Sequence, residues 1–149
     1  MLTVYKSDDT IVLQIHDVKF TLKYLNYEER MNIVTRDRLE GGTVFEDSAH
    51  RIYQAIKHCV KGVEGAKYAD GGDYSLEFDD DGTLSKKSVN ELLSSSYGAE
   101  IIHGATAYVA GQNDGQIKNM HSGDPIEGVK LYYEGKSKKK ASRARRKSK

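Results

Sequence analysis

Between Thr10 and Tyr24 the chain reads TIVLQIHDVKFTLKY, and its apolar positions alternate: Ile11, Leu13 and Ile15, then Val18, Phe20 and Leu22. A period of two sets these side chains on one face of extended backbone, so the stretch predicts two half-buried strands. The phase shifts at His16 and Asp17, where a turn closes a β-hairpin. A short strand over residues 2–5, with a turn at residues 7–9, is expected ahead of it. An isolated hairpin is marginal in water, so this one must pack on helices.

The period then lengthens. Asn26 is a helix cap, Glu28 and Glu29 are acids well placed against a positive helix N-terminus, and Met31, Ile33 and Val34 carry the helix towards Leu39, with Gly41 and Gly42 as its stop. A second helix is expected from Glu46 or Asp47, with Ala49, Ile52, Tyr53, Ile56 and Val60 on one apolar face and Gly62 and Gly65 bounding its end. Residues 67–83 change character: Gly71 and Gly72 mark a turn, Tyr74, Leu76 and Phe78 alternate as one short strand, and residues 79–82 mark another turn. Ser85 or Lys86 opens a helix carrying Val89, Leu92 and Leu93. Residues 99–110 are rich in small side chains and predict a close-packed helix that Gly104 and Thr106 weaken. From Gly111 the chain is polar and Gly-rich as far as a strand over residues 129–133. The whole predicts an α+β fold, an N-terminal β-hairpin packed on a small helical domain.

Charge alters this picture at one end. Residues 136–149 (KSKKKASRARRKSK) hold nine of the 23 Lys and Arg and no acid, leaving 14 basic against 22 acidic residues in positions 1–135. Such a segment repels itself and lacks apolar surface to bury, so it predicts a disordered basic tail following a single α+β domain over residues 1–135. Lys138, Lys139, Lys140, Arg143, Arg145, Arg146 and Lys147 form a candidate arm for a polyanion or an acidic protein face, the chain's own body included. With no aromatic residue among them to stack bases, nucleic-acid binding through this arm would be nonspecific and steeply salt-dependent. The same run would serve as a nuclear signal in a host with a nucleus.

Catalytic templates fail on spacing. Cys59 is the one cysteine, which excludes an internal disulfide and a thiolate metal cluster within one chain, and its apolar surroundings predict a buried small hydrophobe. The five histidines are scattered, and the chain has no HExxH, CxxC, GxSxG or phosphate-loop motif. Setting Gly82 at the sixth position of a calcium loop puts Ser88 where a bidentate Glu should close the site, so residues 77–82 read as a solvated turn. No catalytic, cofactor-binding or metal residue is assigned, no cofactor is expected, and the chain reads as nonenzymatic. The N-terminus lacks the pattern of a secretory signal and no apolar run approaches a membrane span, so no membrane partner is expected and the chain is placed in a cytoplasm.

The middle of the chain carries a resemblance. Leu25–Arg30 (LNYEER) follows a hairpin, Val60–Ala66 (VKGVEGA) and Asp70–Phe78 (DGGDYSLEF) come later, and a helix ends in the pair Leu92 and Leu93. Over residues 10–95 this order resembles the small tail-assembly proteins of long-tailed bacteriophages, with Asn26 and Ala66 in place of that pattern's usual Ser or Thr and Leu. The resemblance implies a tail assembly chaperone in the host cell cytoplasm: a nonenzymatic protein that coats the tape measure protein, keeps it soluble and recruits the tail tube protein, with homo-oligomerisation left open. Tyr24, Tyr27, Tyr53, Tyr97 and Tyr108 are then candidate partner-binding residues at the rim of a helix-binding surface. The alternative is a nucleic-acid-associated virion or accessory protein that binds DNA nonspecifically through the basic tail.

Overall fold

The structure, a computed structural model, describes residues 1–40 and 44–136, with the side chains of 34–40, 44–48 and 136 left aside. The helix stop expected at Gly41 and Gly42, and the basic residues from Lys138 to Lys147, lie outside the described residues.

The predicted hairpin forms, β1 (Asp9–Ile15) against β2 (Val18–Lys23), with Ile11 opposite Leu22, Leu13 opposite Phe20 and Ile15 opposite Val18. Every one of these six side chains is buried in the same core. His16 takes the left-handed backbone of the tight turn at φ 54, a conformation uncommon outside glycine. Ahead of the hairpin the turn at residues 7–8 is present, but the strand over residues 2–5 is not. Leu2 and Val4 are exposed, with no partner strand to bury them.

Helix α1 (Tyr27–Glu40) starts as expected: Asn26 Oδ1 accepts from the Glu29 amide at 2.9 Å while Glu29 Oε1 accepts from the Asn26 amide at 3.1 Å. This reciprocal capping box satisfies two of the amides a helix start leaves open. Lys23 reaches the same carboxylate at 2.7 Å and ties the end of β2 to it. Helix α2 (Val44–Cys59) passes without a loop into β3 (Val60–Glu64), which pairs antiparallel with β2. Residues 60–64 are therefore strand, not the end of the second helix. The β-branched Val60 and Val63 turn inward opposite Leu22 and Phe20, as strand-forming residues do.

No strand forms over Tyr74–Phe78 either. Single bridges flank it, Lys67 to Asp73 just before it and Phe78 to Leu84 at its end. The backbone between serves the next helix: Glu77 donates its amide to Ser88 Oγ at 2.9 Å and accepts from the Ser85 amide at 2.9 Å. Helix α3 (Lys86–Leu93) is capped by Ser85, and α4 (Gly98–Val109) is the small-residue helix the sequence predicts. Gly104 faces Leu13 so closely that a Cβ there would lie 2.7 Å from Leu13 Cδ2. Thr106 returns its hydroxyl to the Ile102 carbonyl at 2.8 Å. Gly104 thus seats the helix on β1, and Thr106 satisfies its hydroxyl within the helix.

The chain closes with β4 (Gly115–Lys118), unexpected in the polar stretch, and β5 (Pro125–Lys136), longer than the strand expected over residues 129–133. β5 pairs along the whole of β1, giving a five-stranded antiparallel sheet in the order β3-β2-β1-β5-β4. The fold is α+β: one face of the sheet carries the core beneath the helices, and the hairpin is its middle.

Candidate functional site

At the turn end of the hairpin the sheet, the connector after β3 and the α3–α4 corner enclose an open cleft of about 590 Å³. Its floor is apolar, made by Val18, Phe20, Leu92 and Ile101, and its walls are aromatic, made by Tyr68, Tyr74 and Tyr97. Gly65 sets one wall. At φ +90 it turns the chain out of β3 against the hairpin, where a Cβ would meet the Asp17 carbonyl at 2.7 Å. No other residue fits both the conformation and the space.

The aromatic walls carry carboxylates. Tyr68 and Tyr74 meet edge to face with ring centroids 5.3 Å apart. Their hydroxyls each lie 3.5 Å from a different oxygen of Glu91. Across the cleft Tyr97 donates to Asp17 Oδ1 at 3.2 Å, and its ring packs on His16 at 5.3 Å. Desolvation, with the neighbouring Glu91 and Tyr68 adding to it and a Ser88 hydrogen bond opposing, holds the Tyr74 phenol above its ordinary value. Desolvation and then the Asp17 carboxylate do the same for Tyr97. Both stay protonated at neutral pH and act as donors. Flat aromatic faces, an apolar floor and acceptor oxygens make a surface that holds a side chain by contact and hydrogen bonding.

The candidate tyrosines do not share this surface. Tyr97 is in the cleft, but Tyr24 lies at the far end of β2, six residues or about 20 Å away. There it stacks on Tyr5 at 5.3 Å, under the Arg30 guanidinium at 5.8 Å. Tyr27 is 76% exposed on the first turn of α1 and Tyr53 is half-buried against the core. Tyr108 is not a rim residue: at 1% exposure it is core, its hydroxyl donating to the Lys23 carbonyl at 2.8 Å and accepting from the Leu25 amide at 3.3 Å. A phenol on a helix laid flat on a sheet is buried when the backbone offers it partners, and here the end of β2 does. Tyr68, Tyr74, Glu91 and Asp17 were not singled out as a site in the sequence. The signal for them is an aromatic and acidic connector, with Tyr68 and Tyr74 flanking the turn at Gly71 and Gly72.

Cys59 is buried as its surroundings predict, and burial pushes its thiol up to about 12, which makes it unreactive. The acidic turn is a small closed loop: Gly82 donates its amide to the Asp79 carbonyl at 2.9 Å, and Asp81 Oδ1 accepts from the Thr83 hydroxyl at 2.6 Å. Among the described residues no group of three or more His, Cys, Asp or Glu is placed to hold a metal ion, and no helix is long and apolar enough to cross a membrane. Compared with known proteins, the chain matches no protein-family model, no curated protein and no solved structure.

Proposed function

We propose that the chain is a nonenzymatic tail assembly chaperone of a long-tailed bacteriophage, acting in the host cell cytoplasm by binding the tape measure protein and helping to recruit the tail tube protein. The observation that carries this reading is the tyrosine-walled cleft. Its apolar floor and aromatic walls suit the apolar stripe of a long helical client, seated as an amphipathic helix in a groove. The Tyr97 hydroxyl donates to Asp17 and its ring packs on His16, which orients that wall for contact. The order of motifs along residues 10–95 carries the family resemblance, and the cleft supports the reading as a surface able to take a helical client.

Co-expression tests it. A tape measure protein made with the intact chain is expected to stay soluble and to co-purify with it. With Tyr74→Ala and Tyr97→Ala together, each loss being more than ~1 kcal/mol for an aromatic anchor, affinity falls about 30-fold and the client precipitates. A client equally soluble with the doubly substituted chain removes the cleft from the reading, and one insoluble even with the intact chain ends the reading.

The nine basic residues over positions 136–149 favour a second reading, a nucleic-acid-associated protein. It requires a DNA affinity whose logarithm falls with log salt at a slope of about −0.9 per phosphate contacted. Reversing Arg143, Arg145 and Arg146 to Glu in the full chain must then flatten that slope. The chaperone reading requires no slope at all.

A further inference from the structure

We propose that the tyrosine–carboxylate cleft is a receptor for a basic peptide, and that its occupant in the absence of a client is the chain's own segment Arg145–Lys147. The assignment rests on the cleft and its charge, and holds whether or not the client is a tape measure protein.

Charge points the cleft towards a cation. Two acids, Asp17 and Glu91, line it against one base, Lys67, and the connector over residues 64–81, which forms one wall through residues 65–69 and Tyr74, carries seven further carboxylates outside that lining. Glu77 and Asp79 are matched by Lys87 and Lys57, each at 3.2 Å. Glu91 feels the charge of Lys87 one turn before it, but its hydrogen bonds are long: 3.5 Å to each tyrosine hydroxyl is well beyond the ~2.7 Å of a good O–H···O bond. Its oxygens keep acceptor capacity for a forked donor, and a guanidinium that takes both lies beside the Tyr68 and Tyr74 rings, where cation–π contact adds to the ion pair. Lysine is a poorer match, since it offers a point charge without the fork.

Reach permits the contact. β5 ends at Lys136, opposite Asp9, while Asp17 lies eight residues further along the hairpin, about 26 Å at ~3.3 Å per residue. Residue 145 is nine positions beyond Lys136 and can lie up to ~32 Å from it. Arg145, Arg146 and Lys147 are therefore the first dense basic cluster able to reach Glu91 and Asp17. The region around residues 138–140 is too near its anchor.

A nitroxide on the full chain tests this. Cys59 is buried and its thiol unreactive, so Ser148→Cys gives one labelled position. Amide signals of residues 67–74 and 94–97 are expected to lose intensity, while those of residues 119–127 keep theirs. The loss disappears with Glu91→Lys, and also in the unchanged body at 1 M salt, where the Debye length shrinks to about 3 Å. Isotope-labelled chains without nitroxide, mixed with unlabelled chains that carry it, are expected to show no loss. Broadening that is uniform, centred elsewhere, insensitive to both Glu91→Lys and salt, or present only in the mixture overturns the proposal. Because no client takes part, failure here leaves the co-expression result standing, and the reverse also holds.

Discussion

Tyr108 shows how one polar atom in an apolar setting governs a stability curve. Desolvation first, and then the Cys59 beside it, hold its phenol well above the ordinary value of 10, with the Leu25 amide and Arg30 pulling the other way. Folding therefore favours the neutral form. The stability this contributes is complete below pH 10 and is lost as pH rises through 10 towards the folded value, because the unfolded chain ionises first. Urea midpoints are expected to fall above pH 10. Tyr108→Phe removes that part of the alkaline decline, and at neutral pH it costs about 1–3 kcal/mol because the buried Leu25 amide loses its acceptor. An alkaline limb unchanged in Tyr108→Phe would assign it to other groups.

Among the elements, α4 tests whether close approach or helix propensity dominates at Gly104. Alanine gains about 1 kcal/mol of propensity in a helix interior, but its Cβ would stand 2.7 and 2.8 Å from the two Leu13 methyl carbons. Leu13 is 3% exposed, so its methyls must shift within the core to make room, and overpacking of this kind costs about 1–3 kcal/mol. Gly104→Ala is expected to destabilise by about 1 kcal/mol net. Leu13→Val, which withdraws the methyls, is expected to couple with it favourably in a double-mutant cycle read by denaturant unfolding. Additive effects would show that no clash exists. The same helix explains what could be read in advance. Periodicity and caps located the hairpin, the Asn26 start, the Ser85 start and α4, because each signal is local. β3 escaped because Val60 continues the apolar spacing of Ile56 and no turn residue separates helix from strand. β4 escaped because Ile117 is its single buried residue, and its pairing is dictated by β5. The alternation of Tyr74, Leu76 and Phe78 misled because the period of two records extended backbone, whereas a strand also needs a neighbour to bond. The cleft was legible only in part: Tyr97 was singled out, but its association with Tyr68, Tyr74 and Glu91 depends on how α3 and the connector fold back on the hairpin.

At the scale of the molecule the sheet order places β1 at the centre, with β2 on one side and β5 on the other, and leaves β3 and β4 as edges. Amide hydrogen exchange is expected to follow that order. Residues 11–15 and 129–133 should exchange together and slowest, through global opening, and residues 60–64 and 115–118 sooner through local opening. Edge strands as protected as β1 would contradict the pairing. The central pairing also joins positions far apart in the chain, Ile11 lying opposite Tyr133. During synthesis the hairpin is made early, yet its companion strand follows only after the four described helices. The nascent chain thus carries one bare edge of β1, with its unpaired amides and carbonyls, throughout elongation. Such an edge invites pairing with other nascent copies on a polysome until residues 125–136 arrive to close it.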